Sequence, residues 1–163
     1  MKVDHLHVRQ LLPISLEEAW EFFSNPKNLD RITPDDMGFE IVSEPTDETY
    51  EGQIIEYRVS PLLGIPLKWV TEITAFEPMK RFVDEMRVGP YGLWRHEHTF
   101  QEVEGGVMME DILDYGYLGG AIGAMIQRPI VRPRVEGIFK YREKILDDIF
   151  IPAIGVGAPM HTS

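Results

Sequence analysis

Between residues 52 and 115 the chain repeats one pattern: short stretches in which apolar and charged side chains alternate, cut apart by turn-forming residues. Successive side chains of a strand point to opposite faces, so a period of two marks strands with one buried and one wet side. The stretches fall at 52–60, 67–76, 81–88, 93–102 and 107–115, with a shorter one at 38–43. Between them lie Glu44-Pro45-Thr46-Asp47, the segment 61–66, Glu77-Pro78, Gly89-Pro90 and Gly105-Gly106. Connections this short join neighbouring strands as an antiparallel meander.

The flanks add one strand and several helices. Residues 2–12 alternate as well, with Leu6, Val8, Gln10 and Leu12 on one face and His5, His7 and Arg9 on the other. Ser15 followed by Glu18 is a capping-box pair, and Leu16, Ala19, Trp20 and Phe23 then fall at helical spacing. Asn25-Pro26 starts a second short helix, with proline where a missing N–H is harmless, ending near Thr33-Pro34. At the other end, residues 133–150 carry Val135, Ile138, Phe139, Arg142, Ile145, Leu146 and Ile149 on one helical face. The segment 119–127 reads as a Gly-weakened short helix or a lid-like loop. The expected class is α+β: about seven antiparallel strands, two short helices after the first strand and a long C-terminal helix. Residues 1–150 are expected to form one domain and 151–163, rich in Gly and Pro, a loose tail.

Alternation sorts the strands into two faces. Glu56, Arg58, Lys68, Glu72, Arg81, Glu85, Arg87, Arg95, Glu97, Glu110 and Asp114 fall on a solvated exterior. The opposite, inward face carries Ile55, Tyr57, Val59, Trp69, Thr71, Ile73, Phe82, Asp84, Met86, Trp94, His96, His98, Phe100, Met109, Asp111, Leu113 and Tyr115. A packed interior would hold mainly Val, Ile and Leu. Burying a polar group without a partner costs roughly 2–7 kcal/mol, so these His, Asp, Tyr and Thr side chains need one another, water or a guest molecule. Apolar walls with a few converging polar groups describe a small-molecule pocket. Arg142 sits on the apolar stripe of the last helix, where a salt bridge to Asp84 or Asp111 is expected and an anionic ligand group is the alternative.

His96 and His98 stand on one strand face, roughly 6–7 Å apart by strand rise. With Asp84 or Asp111 they could complete a two-histidine, one-carboxylate metal site, but His-X-His alone fixes no spacing to a third ligand. A hydrogen-bonded pair is the reading kept, with no metal and no cofactor expected. Acid–base chemistry by His96, His98 and Asp111, with Tyr57 or Tyr115 as proton donor, is the enzymatic alternative. No phosphate-binding glycine loop, Gly-X-Ser-X-Gly elbow or His-Glu-X-X-His motif occurs.

The bulk numbers remove other classes. A net charge of −11 over 163 residues argues against nucleic acid and against an anionic membrane surface. The composition, 44% hydrophobic and 26% charged, is that of a folded chain rather than a disordered one. With no cysteine, no signal-type stretch after Met1 and no membrane-spanning run, a soluble protein of a reducing cytoplasm is expected.

Three motifs resemble a known group. Asn28-Leu29 with Ile32-Thr33-Pro34, the segment Gly89-Pro90-Tyr91 leading to Trp94, His96, His98 and Phe100, and Ile138-Phe139-Lys140-Tyr141-Arg142 are similar to a bacterial subgroup of the START-like, or SRPBCC, superfamily. The resemblance spans about residues 3–150. It implies a helix-grip fold, in which a curved antiparallel sheet wraps the C-terminal helix, and a hydrophobic cavity between the two. It does not imply a reaction, because one fold serves many functions. The expected function is therefore binding of a small hydrophobic or amphipathic molecule by Tyr57, Trp69, Thr71, Phe82, Asp84, Met86, Trp94, His96, His98, Met109, Asp111, Tyr115 and Arg142. The alternative is a cyclase- or dehydratase-type enzyme working through the interior histidines and a carboxylate.

Overall fold

The computed structural model describes residues 1–44, 46–61 and 63–151. Strand β1 (Val3–Leu12) leads into helix α1 (Leu16–Phe23) and two 3₁₀ turns, Pro26–Ile32 and Asp35–Met37. Strands β2 (Glu40–Ile41), β3 (Ile54–Val59), β4 (Leu67–Glu77), β5 (Arg81–Val88), β6 (Leu93–Val103) and β7 (Gly106–Gly116) follow, and helix α2 (Gly120–Phe150) closes the chain. The sheet is antiparallel with order β1-β7-β6-β5-β4-β3-β2. Consecutive strands are thus neighbours from β2 to β7, and the first strand returns to lie beside the last. Register shifts between β4 and β5, at Val70/Thr71 and Ile73/Ala75, bend the sheet.

Both helix starts follow the local chemistry. Ser15 Oγ accepts the Glu18 backbone N–H at 3.1 Å, and Asn25 Oδ1 accepts that of Lys27 at 3.0 Å. The expected strand at 38–43 shrinks to two residues. Gly38 closes the preceding turn in the left-handed region at φ 53°, and Val42 and Ser43 both donate to the single carbonyl of Glu56. The β6–β7 turn needs glycine for space: a Cβ at Gly106 would stand 2.0 Å from the Leu12 carbonyl oxygen.

The last helix is longer than the sequence suggests. Of the two readings of 119–127 the helix holds, not as a short separate one but as the first turns of α2, which starts at Gly120 after its N-cap Gly119 and runs through Pro129 and Pro133 to Phe150. The physical reason lies in which side the prolines face. Each removes one helical hydrogen bond, but both prolines and Met125 are exposed, so water can satisfy carbonyls on that side. The buried stripe Ala124, Val131, Val135, Phe139, Arg142 and Leu146 continues past them unbroken. Of the tail expected at 151–163, all but Ile151 lies outside the described residues. Among the described residues, no helix is long and apolar enough to cross a membrane.

Two large apolar clusters fill most of the interior, and a smaller one joins Ile55, Tyr57 and Val59 on β3. One of the large clusters gathers Leu12, Ala19, Phe22, Phe23, Ile32, Phe82, Phe100, Val107, Met109 and Leu146 around α1. The other joins Tyr91, Leu113, Tyr115, Tyr117, Ala124, Val131, Val135 and Phe139. Gln10 ties the first strand to the last helix, donating to the Glu143 carbonyl at 2.8 Å and to Asp147 Oδ1 at 2.9 Å.

Candidate functional site: a polar layer against an apolar pocket

Between the two large clusters runs a layer of polar side chains that takes two successive inward positions on β6 and one on each of β5 and β7. On β5 it falls between Phe82 and Met86, on β6 between Phe100 and Trp94, on β7 between Met109 and Leu113, and on α2 between Phe139 and Leu146. The residues at that level are Asp84, His96, His98, Asp111 and Arg142. The strand register makes it so, setting Asp84 opposite His96 and His98 opposite Asp111.

The five side chains form one network. His96 Nε2 lies 2.8 Å from Asp111 Oδ1, and His98 Nε2 lies 2.8 Å from Asp84 Oδ2. The second nitrogens face the other carboxylates: His96 Nδ1 is 3.7 Å from Asp84 Oδ2, and His98 Nδ1 is 3.2 Å from Asp111 Oδ1. That last contact lacks hydrogen-bond geometry, so His98 Nδ1 is a buried nitrogen without a hydrogen-bond partner among the described residues. The imidazole centroids are 3.7 Å apart, and His98 stacks on Phe82 at 4.3 Å. Arg142 Nη2 stands 3.3 Å from Asp111 Oδ1, the expected pairing of buried arginine with an interior carboxylate. Its guanidinium also lies over the rings of Phe23 and Phe139, 5.7 and 5.9 Å from their centroids.

The electrostatics follow. Burial pushes the Asp111 carboxyl up, but the Arg142 charge, the hydrogen bond from His96 and the close approach of His98 outweigh it and hold the group well below the usual range. Asp84 is lowered too, because the His98 hydrogen bond and the charges around it exceed the burial penalty. The two histidines part ways. Burial and its histidine neighbour lower His96, whereas at His98 the carboxylates of Asp111 and Asp84 overcome burial and raise it. Burial also raises the Tyr57 hydroxyl, and the Asp84 charge adds to it, which keeps that phenol neutral.

A pocket of about 180 Å³ opens against this layer. Of the residues singled out from the sequence, Tyr57, Trp69, Thr71, Phe82, Asp84, Trp94, His96, His98 and Arg142 line it. Met86, Met109, Asp111 and Tyr115 do not, for distinct reasons. Met109 is packed into the α1 cluster, and Met86 lies against the other cluster. Asp111 lies behind the histidines, and Tyr115 packs beside Tyr117, 6.0 Å between centroids. Tyr115 therefore has no path to act as proton donor in this pocket, and Asp111 acts on it only through His96 and His98.

The wall also holds residues that strand alternation could not find. Phe22, Phe23, Leu29, Ile32 and Thr33 come from α1 and the turns after it, and Ile138 and Phe139 from α2. Tyr91, in the β5–β6 turn, stacks on Trp94 at 5.0 Å, and Trp69 meets both rings edge-on. The Gly-Pro before Tyr91 marks a turn in sequence, and a turn carries no periodicity to say which way its side chains face.

Neither a protein-family model nor a curated protein matches the sequence. Solved structures do match in shape. Protein CV1439 from Chromobacterium violaceum superposes with a TM-score of 0.70 at 12% identity, over 91% of this chain and 99% of that one. The major latex-like protein 151 of Panax ginseng gives 0.66 at 11%, over 92% and 99%. Ara h 8.0201 gives 0.58 at 15%, over 89% and 98%. The fold is the helix-grip fold. Identities this low establish the architecture and nothing finer, but they place α2 of this chain as the gripped helix and its curved sheet as the grip.

Proposed function

We propose that this helix-grip chain, over residues 1–150, binds one small and mostly apolar molecule in the pocket, as a member of the START-like superfamily its motifs resemble. The observation that carries the reading is the wall itself: aromatic and aliphatic on most sides, with Asp84, His96 and His98 at one end. A purely structural polar network would be sealed on every side by packing. Size narrows the guest. A dry cavity of ~150 Å³ accommodates benzene, so about 180 Å³ suits a single substituted ring or a short branched chain rather than a lipid or a fused polycycle. The guest's apolar body would lie against Trp69, Tyr91 and Trp94, and a hydroxyl or carbonyl would meet the histidines.

One observation favours a second reading, acid–base catalysis on such a guest. His98, with its Nε2 2.8 Å from Asp84, faces the pocket, and a carboxylate-paired imidazole there can hold or pass a proton. Extraction after native mass spectrometry of chain purified from its source cells separates the cases. A retained small apolar molecule, one per chain, supports binding, and a chemically altered one supports catalysis. A second arm titrates single-ring aromatic alcohols and ketones while following fluorescence of Trp69 and Trp94. No co-purifying molecule together with no saturable fluorescence change would overturn both readings.

A further inference from the structure

We infer that Asp84, His96 and His98 form a binding site for a divalent transition-metal ion of the zinc class, with Asp111 as the carboxylate that orients both histidines from behind. The inference goes beyond the apolar-guest reading and does not rest on it, because an ion can bind with no organic molecule present.

The geometry carries it. One ligand atom from each of the three side chains can be chosen so that all lie within 4.8 Å of one another. Around one zinc at ordinary bond lengths of about 2.0–2.2 Å, such atoms stand roughly 3.0–3.5 Å apart. His98 Nε2 and His96 Nδ1 are 2.8 and 3.7 Å from Asp84 Oδ2, so both nitrogen–oxygen spacings lie within a few tenths of an ångström of that range.

The nitrogens on the far side matter as much. A metal-bound histidine usually donates its other N–H to a carboxylate, which fixes the ring's orientation. Here one oxygen, Asp111 Oδ1, faces both far nitrogens, His96 Nε2 at 2.8 Å and His98 Nδ1 at 3.2 Å. His98 Nδ1 is a buried nitrogen otherwise lacking a hydrogen-bond partner. With His98 Nε2 on a metal, Nδ1 carries the proton, and a turn of the ring that aligns this N–H on Asp111 Oδ1, 3.2 Å away, completes the bond.

Charge agrees. With both imidazoles neutral, as metal ligation requires, Asp84 and Asp111 bring two negative charges and Arg142, held 3.3 Å from Asp111, brings one positive, leaving the Asp84 side of the layer anionic. All three ligands line the pocket, so the remaining coordination positions open onto it, as in sites that bind substrate on the metal. The group such an ion would accept from the pocket is an oxygen: a carbonyl, hydroxyl or carboxylate.

The test uses the full chain, stripped with a chelator and titrated with Zn²⁺ by calorimetry and with Co²⁺ by visible absorption. The expected result is one equivalent of either ion, with Co²⁺ giving the visible bands of a four- or five-coordinate N,O site. Asp111→Asn should weaken Zn²⁺ by about 10–100-fold, and Asp84→Asn or the pair His96→Gln and His98→Gln should weaken it further. His5 and His7, exposed on β1 beside Asp114 and Glu110, are the competing surface site. The variant His5→Ala with His7→Ala should bind as the native chain does. Circular dichroism confirms that each variant is folded, and Asp84→Asn is the change least able to disturb packing. No saturable binding overturns the inference, and so does binding that survives Asp84→Asn undiminished or disappears with His5 and His7.

Discussion

Asp4, on β1, and Asp111, on the neighbouring β7, show how differently two interior-facing carboxylates are used. Asp4 accepts from the Tyr117 hydroxyl at 2.6 Å and from Arg128 Nε at 2.8 Å. The Arg128 hydrogen bond exceeds the burial penalty, and with Tyr117 it holds the Asp4 carboxyl below its usual 3.8. A carboxyl that is more acidic folded than unfolded stabilises the fold while ionised. That contribution is complete above about pH 5 and drains away as the pH falls through the depressed folded value. Asp4→Asn should therefore lower Tm at pH 7, with the gap to the native chain closing below about pH 4 in thermal melts across that range. Asp111, by contrast, has no contact with the pocket and serves the histidines. Its inward placement was legible from alternation alone, as was that of His96, His98 and Asp84. Which carboxylate meets which imidazole was not, because that depends on the register between β5, β6 and β7, and sequence periodicity carries faces but no register.

Helix α2 is the element on which most of the interior depends. Leu146 is fully buried between β-sheet and α1, whereas Ile130, on the same helix, is 59% exposed. Leu146→Ala should cost about 2–5 kcal/mol and Ile130→Ala within about 0.5 kcal/mol, both read from urea unfolding. The second half of α2 could be read from its apolar stripe and charged far face. Its first half could not, because Gly119, Gly120, Gly123, Pro129 and Pro133 all argue locally against a helix. Burial of Ala124, Val131 and Val135 against the sheet overrides that local preference, a tertiary effect invisible to a short sequence window. The aromatic and aliphatic wall contributed by α1 and the following 3₁₀ turn escaped for a related reason. Those residues read equally well as ordinary core, and only their position against β3–β6 makes them a pocket.

At the scale of the molecule, the polar layer separates two apolar ends that share no member. The meander from β3 to β7 was legible because every connection in it is short and turn-rich. The return of β1 to β7 was not in the periodicity, which sorts faces but carries no strand order. It sets Val3 opposite Gly116 and Leu12 opposite Val107, pairings that span most of the described chain. A pairing this distant in sequence slows folding, and antiparallel sheets with such non-local contacts fold in milliseconds to seconds rather than microseconds. Stopped-flow refolding followed by tryptophan fluorescence should fall in that slower range.

That pairing also sets the order of events on a ribosome. The first strand leaves the exit tunnel long before β7 exists, and until then its backbone donors and acceptors have no partner. Through the synthesis of β2 to β6 the nascent chain carries an unpaired first strand, whose outward side bears His5, His7 and Arg9. Completion of the sheet therefore waits until β7 itself has emerged.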